Sequence, residues 1–214
     1  MSGAWLDFRF GCFHIDVERQ PGKSTAIEGQ PVGFVSQGRE ANTVTIERVT
    51  HANEDLVAGL AAVLMDAVEG GAGVSFMSDL TSDEATAWWR QVFAAATPRT
   101  VVLVARDAGK IVGTVQLQPA WAPNQPHRAD VAKLMVHRHA RGRGVARALM
   151  QELEREACDQ QFTLLVLDTC KGSAAERLYI SLGWVRIGEV PNFALNPDRS
   201  WCTTVFFYKA IDGA

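Results

Sequence analysis

The sequence predicts a mixed α/β fold. Three observations predict it. From residue 43 onward, strand-like and helix-like patterns follow one another in the order β-α-α-β-β-β-α-β-α-β-β. One strand pattern, over residues 129–136, runs directly into a glycine-rich turn and an apolar-faced helix, so residues 128–146 form one strand-loop-helix unit. With 214 residues, 47% of them hydrophobic, the chain is long enough to bury one sizeable core.

Residues 1–41 are rich in Gly, Pro, Gln and Ser without sustained periodicity, and are expected to be a poorly ordered N-terminal extension. Within them, Pro21-Gly22-Lys23-Ser24-Thr25 resembles the end of a phosphate-binding loop. Val17 stands where the motif needs its first glycine, and no apolar strand precedes it. Residues 42–211 carry the regular elements. Residues 43–49 alternate as an edge strand. Leu56, Leu60, Val63, Leu64 and Ala67 then share one helical face, which Gly70-Gly71-Ala72-Gly73 ends. Thr81-Ser82-Asp83-Glu84 has the spacing of a capping box and opens a helix carrying Trp88 and Trp89, expected in the core or a pocket wall. Residues 100–105 and 111–117 are apolar strands joined by the turn Asp107-Ala108-Gly109.

Residues 144–160 form a helix with Val145, Leu149, Leu153 and Ala157 four apart. Its Glu152, Glu154 and Glu156 read as a solvated face. Residues 162–167 are a continuous apolar run, as expected of a strand buried on both faces. Ser173-Ala174-Ala175-Glu176 repeats the capping-box spacing and opens a short helix that Gly183 stops. Residues 184–190 and 203–209 are the last strands.

Composition excludes several function classes. A net charge of −3 lacks the basic surplus of a nucleic-acid binder. No apolar run approaches the ~20 residues that span a bilayer, and the N-terminus has no signal-peptide pattern. Cys12, Cys158, Cys170 and Cys202 are scattered, with no metal-site spacing. They are expected to be reduced, in a cytoplasmic protein without a metal.

The informative stretch is Lys133 to Ala146. Glycine lets a backbone turn tightly and approach a ligand. The first N–H groups of a helix are unpaired and its dipole favours negative charge, so the loop suits a diphosphate. Arg141 and Arg143 add positive charge. Arg147 stands where GxGxxG would need its third glycine, which disfavours a dinucleotide site.

Arg141-Gly142-Arg143-Gly144-Val145-Ala146 resembles the Arg/Gln-x-x-Gly-x-Gly/Ala signature of the GCN5-related N-acetyltransferases (GNAT), and the order of elements over residues 43–210 is similar to that family's. The resemblance implies acetyl-CoA as co-substrate. It also implies a mixed, largely antiparallel sheet of six to seven strands with about four helices, splayed at two adjacent parallel strands. By the same resemblance, Leu134, Met135 and Val136 pair with the pantetheine arm, and Gly142, Gly144, Val145 and Ala146, with Arg141 and Arg143, hold the pyrophosphate. Within the family, residues 69–210 are similar to toxin-resistance acetyltransferases. The pieces that match are Gly70-Gly71-Ala72, Phe76-Met77, Lys133-Leu134-Met135-Val136, Leu167-Asp168-Thr169 and Gly188-Glu189. Those enzymes acetylate the amine of a β-lactam toxin.

Amine acetylation needs an acceptor for the ammonium proton, donors for the developing oxyanion and a proton for the departing thiolate. Asp130 and Asp168 stand on the strands before the glycine loop and before the second capped helix. The resemblance implies carboxylates that act on the amine there, with a Glu-to-Asp change at residue 130 that makes a water relay an alternative. Tyr179 matches a tyrosine that protonates the CoA sulfur. Gly172 departs from the family, many members of which carry Asn there. His137 and His139 read as exposed loop histidines. The expected acceptor is a small-molecule primary amine, of antibiotic or toxin type, with a homodimer as the family-level assembly. A protein N-terminus, a lysine or a polyamine is the alternative acceptor, and a non-catalytic acyl-CoA sensor is the alternative class. Residues 70–80 and 121–127 are expected to shape the acceptor pocket.

Overall fold

The computed structural model describes residues 44–211. The N-terminal extension expected over residues 1–41, and the phosphate-loop-like stretch within it, lie outside the described residues. Seven strands and four α-helices follow in the predicted order: β1 (Thr45–Val49), α1 (Glu54–Glu69), α2 (Ser82–Ala94), β2 (Val101–Asp107), β3 (Lys110–Pro119), β4 (Arg128–Val136), α3 (Val145–Asp159), β5 (Leu164–Cys170), α4 (Ala174–Ser181), β6 (Val185–Leu195) and β7 (Trp201–Ala210). A 3-10 turn, Arg138–Ala140, sits between β4 and α3.

Local chemistry explains the helix starts. The Asn53 side chain accepts from the Leu56 N–H at 2.8 Å and starts α1. Thr81 and Glu84 exchange side-chain and backbone hydrogen bonds in a complete capping box at α2. At α4 only half of the expected box forms. Ser173 accepts from the Glu176 N–H at 3.1 Å, but the Glu176 carboxylate takes the N–H of Gly172. The Ser173 N–H is already taken, donating to the Cys170 carbonyl at 3.2 Å.

The strands form one sheet in the order β1-β2-β3-β4-β5-β7-β6. All neighbours are antiparallel except β4 and β5. Helices α1 and α2 cover one face, with Leu60, Leu64 and Trp89 packed on Val102 and Val104. Helices α3 and α4 cover the other, with Leu149, Leu153 and Tyr179 packed on Leu103, Val115 and Leu165. Burial of these side chains supplies the main stabilisation, roughly 1.5–3 kcal/mol for each large apolar group.

The two parallel strands pair over three positions, Arg128↔Leu164, Ala129↔Leu165 and Asp130↔Val166. Beyond them β4 follows β3 as far as Val136, and β5 follows β7 as far as Cys170. The sheet therefore splays into a V. A bulge sharpens the divergence, because Lys133 and Leu134 together stand opposite the single residue Val115. Lys133 accordingly adopts a left-handed φ of 55°, which a non-glycine residue seldom does.

Three expectations are corrected by packing. The run over residues 162–167 is not buried on both faces: Leu165 and Leu167 are buried, whereas Leu164 and Val166, on the other face, are only half-buried. Phe162 precedes β5 and is buried beneath the Arg99 guanidinium. On α3, Glu154 and Glu156 are tertiary anchors rather than a solvated face. Glu154 accepts from Trp184 and Lys209, and Glu156 pairs with Arg48 at 3.0 Å. Finally, the cysteines are not all reduced. Cys170 on β5 and Cys202 on β7 form a disulfide with Cα atoms 6.0 Å apart, which removes cysteine usage as an argument for a cytoplasmic location.

Candidate active site

Cross-strand partners share a face of a sheet, and so do residues two apart on one strand. Gln116 stands opposite Ala132, Gln118 opposite Asp130, and Asp130 opposite Val166, two residues before Asp168. Gln116, Asp130 and Asp168 therefore lie on one face at the throat of the V. It is the face that α1, α2 and the segment joining them cover. Lys133 reaches the same side from the bulge. Its Nζ donates to the Val74 carbonyl and to Ser75 Oγ, both at 2.9 Å, and lies 5.7 Å and 5.5 Å from the Phe76 and Trp88 ring centroids.

The charges here act on one another. Burial pushes the Asp168 carboxyl above the usual carboxylate range; Lys133 opposes this and Asp130 adds to it. Asp168 is nonetheless open to solvent, so protein surrounds it without capping it, as on the floor of a cleft. Burial also raises Asp130, against the pull of Arg128, whose guanidinium bonds Asp130 Oδ1 at 2.5 Å. Burial lowers Lys133 to about 8, with Asp168 holding it up. Tyr179 is 5% exposed, its ring set against Trp184 and Phe207. Burial, with the Asp168 charge second, keeps its phenol protonated well above the ordinary range. Among the described residues its hydroxyl has no protein hydrogen-bond partner. Thus Asp130, Asp168, Tyr179 and Lys133 share one electrostatic environment.

The glycine loop lies at the other end of β4. Gly142 and Gly144 take φ values of 73° and 80°, and a Cβ at either would meet nothing within 4 Å. The space beside both α-carbons is thus free of protein atoms. The first helical bond runs from the Ala148 N–H to the Gly144 carbonyl, so the N–H groups of Val145, Ala146 and Arg147 have no partner inside the helix. The two arginines are placed differently from expectation. Arg141 turns back, donating from Nε to the Val136 carbonyl at 2.9 Å, and Arg143 pairs with Asp107 at the β2–β3 turn. Both guanidinium groups thus have protein partners, while the Val145, Ala146 and Arg147 amides have none inside the helix. Leu134, Met135 and Val136 lie on β4 beyond Asp130, where its edge has no β5 partner.

Sequence reasoning missed Asp66. From α1 it accepts from the Arg138 N–H at 2.9 Å and from Arg138 Nε, with His137 Nδ1 and an Arg141 nitrogen each 3.5 Å away. It ties the start of the glycine loop to α1, and it draws in His137, which is half-buried rather than exposed. Burial alone would raise its carboxyl, but the Arg138 bonds outweigh that and hold it below the usual range. Because the folded value is the lower one, its stabilisation is complete above the unfolded carboxylate value and disappears as pH falls through the folded one. Asp66→Asn is expected to lower unfolding stability by about 1–3 kcal/mol at pH 7. In urea titrations, that difference from the parent protein should shrink at strongly acidic pH.

A cavity of about 1150 Å³ lies between α1, the segment after it, the start of the glycine loop and the β6–β7 turn. Asp66, His137 and Arg138 line it from the β4 side, Asn196 and Asp198 from the β6–β7 turn, and Ser78 from the segment joining α1 and α2. Asp130, Asp168 and Tyr179 do not line it. The Ser78 N–H donates to the Pro197 carbonyl at 3.1 Å, so that segment and the β6–β7 turn meet above the splay. Among the described residues no cluster of His, Cys, Asp or Glu is placed to hold a metal, and no helix is long and apolar enough to cross a membrane.

Comparison with known proteins bears on the family and the fold. The chain is 30% identical over 127 residues to an uncharacterized N-acetyltransferase of the hisH-hisA intergenic region of Azospirillum brasilense, covering 58% of this chain and 74% of that protein. It is 33% identical over 101 residues to N-acetylaspartate synthetase of Danio rerio, a match spanning 46% of this chain and 35% of the synthetase's length. In fold it matches a Salmonella typhimurium structure described as an acetyltransferase with its cofactor acetyl-CoA. The TM-score is 0.65 and the identity 21%, over 80% of this chain and 96% of that one. The Acetyltransferase (GNAT) family model matches residues 72–184, from the end of α1 to the start of β6, and so takes in the throat, the bulge and the glycine loop. The chain belongs to the acetyltransferase (GNAT) family.

Proposed function

We propose that this protein transfers the acetyl group of acetyl-CoA to the primary amine of a small molecule, by direct attack of the amine. The observation that carries the reading is the union, around one splay, of a glycine turn with two carboxylates on one face of the sheet and a buried phenol on the other that feels the Asp168 charge. Acetyl-CoA supplies an activated acyl group. The residues present fit it: main-chain amides at Gly142, Gly144, Val145 and Ala146 for the diphosphate, and the β4 edge without a β5 partner at Leu134, Met135 and Val136 for the pantetheine.

Asp168 is the better proton acceptor. It faces the cleft, and burial raises its affinity for a proton toward a useful range. Asp130 is held by Arg128 and serves better to orient water or the amine than to accept a proton itself. Tyr179 holds a proton at Oη for the leaving sulfur. A small acceptor is favoured over a protein N-terminus or lysine because the Ser78–Pro197 contact bridges the throat, which a polypeptide would have to part. The throat pairs its carboxylates with Lys133 and Arg128 rather than leaving a run of free acids, which disfavours a polyamine.

The chain also resembles the tabtoxin-resistance acetyltransferase, which supports an antibiotic- or toxin-like amino compound as acceptor. Release of CoA over a panel of primary amines tests the function. Turnover is expected on at least one small amine, and Asp168→Asn should lower it by roughly 10²–10⁴-fold, the usual size of acid-base assistance. Tight acetyl-CoA binding with no turnover on any amine would instead mark an acyl-CoA sensor.

A further inference from the structure

Two polar groups on the throat face are unused by the acetyl transfer itself. The first is Lys133. A lysine with left-handed backbone angles in a bulge, near two aromatic rings and within reach of the Asp168 charge, is a costly arrangement unless its charge has work to do. Val74 and Ser75 satisfy two of its three N–H donors. The second is Gln116. It is 0% exposed, its Oε1 accepts from Gln118 Nε2 at 2.7 Å, and its own Nε2 is buried with no partner. Gln116 stands directly across from Ala132, the residue before Lys133. A buried, unpartnered amide N–H on the strand paired with the one that carries Lys133 calls for an acceptor that the protein does not provide.

The geometry points to a subsite in which Lys133 and Gln116 read a carboxylate carried by the acceptor close to its amine. The ammonium of the same acceptor then faces Asp168 and Asp130. The throat is complementary to an amino acid or an amino-acid-like compound: donors on one side, carboxylates on the other. With its value at about 8, Lys133 is mostly cationic at neutral pH, as that role requires. The inference rests on the acetyl-transfer reading and names its substrate class.

The test compares each carboxylate acceptor with its primary-amide analogue, amino acid against amino-acid amide, in the CoA-release assay. The full-length protein is expected to favour the carboxylate by at least about tenfold in kcat/KM, the worth of one well-made polar contact. Lys133→Met should collapse that ratio toward unity through KM, and Lys133→Arg should restore part of it. Because Lys133 also holds the loop at Val74, Gln116→Met serves as the second variant. It removes an orphaned donor without opening a cavity, so it should fold at least as stably while reducing the same ratio. Acetyl-CoA affinity, read by titration calorimetry, should change by less than about threefold in each variant. A parent protein that acetylates amines with no preference for the carboxylate sinks the subsite and leaves the acetyltransferase reading standing. So does a ratio that survives both substitutions. No turnover on any amine removes both.

Discussion

Gly144→Glu is expected to abolish acetyl-CoA binding while leaving the protein folded. Gly144 precedes the first residue of α3 at φ 80°, so any side chain there is strained, by roughly 1–2 kcal/mol. A Cβ would touch nothing in the protein itself, so a drop in melting temperature of a few degrees is the whole structural effect expected. The loss to the ligand is larger. The carboxylate would occupy the approach to the Val145 and Ala146 amides and repel the diphosphate. Losing two charge-assisted bonds, each roughly 1.5–3 kcal/mol, weakens affinity at least about a hundredfold. Gly144→Ala, which shares the strain without the charge, should lie between. Calorimetric titration with acetyl-CoA reads all three proteins. Affinity kept within threefold in the Glu variant would move the diphosphate away from this loop.

The second large effect is expected from Tyr179→Phe. The ring would stay packed on Trp184 and Phe207, so stability and acetyl-CoA affinity should barely move. What disappears is one hydroxyl with no protein partner. If it delivers the proton to the leaving sulfur, kcat should fall by roughly 10²–10⁴-fold. Because burial, and then Asp168, keep the phenol protonated well above neutrality, the loss should be similar across neutral and mildly alkaline pH. Unchanged turnover would return Tyr179 to a packing role.

Some of this was legible from sequence because it is local. The Thr81–Glu84 capping box joins residues three apart. The helical face of α1 repeats with the helix period, and the glycine cradle is a property of consecutive backbone angles. The element order and the splay between β4 and β5 followed from the same patterns and from the family resemblance that the glycine loop carries.

The site's electrostatics were not legible, because its partners meet only through packing. Asp66 reaches Arg138 across 72 residues of chain, and Lys133 reaches Val74 across 59. In sequence, Arg141 and Arg143 look like free phosphate ligands. Tertiary contacts occupy both, one with the Val136 carbonyl and one with Asp107. Gln116 left a trace, a polar residue inside an apolar strand, but only the register against Ala132 gives it a place. Residue types and spacings determined the fold class and the glycine-rich strand-loop-helix, and the family resemblance named Asp130, Asp168 and Tyr179 as candidates for the reactive set. The tertiary structure decided how those groups are biased and what lies opposite them. A one-residue bulge turned Lys133 toward the throat, and strand register sets such a bulge only once β3 and β4 have paired.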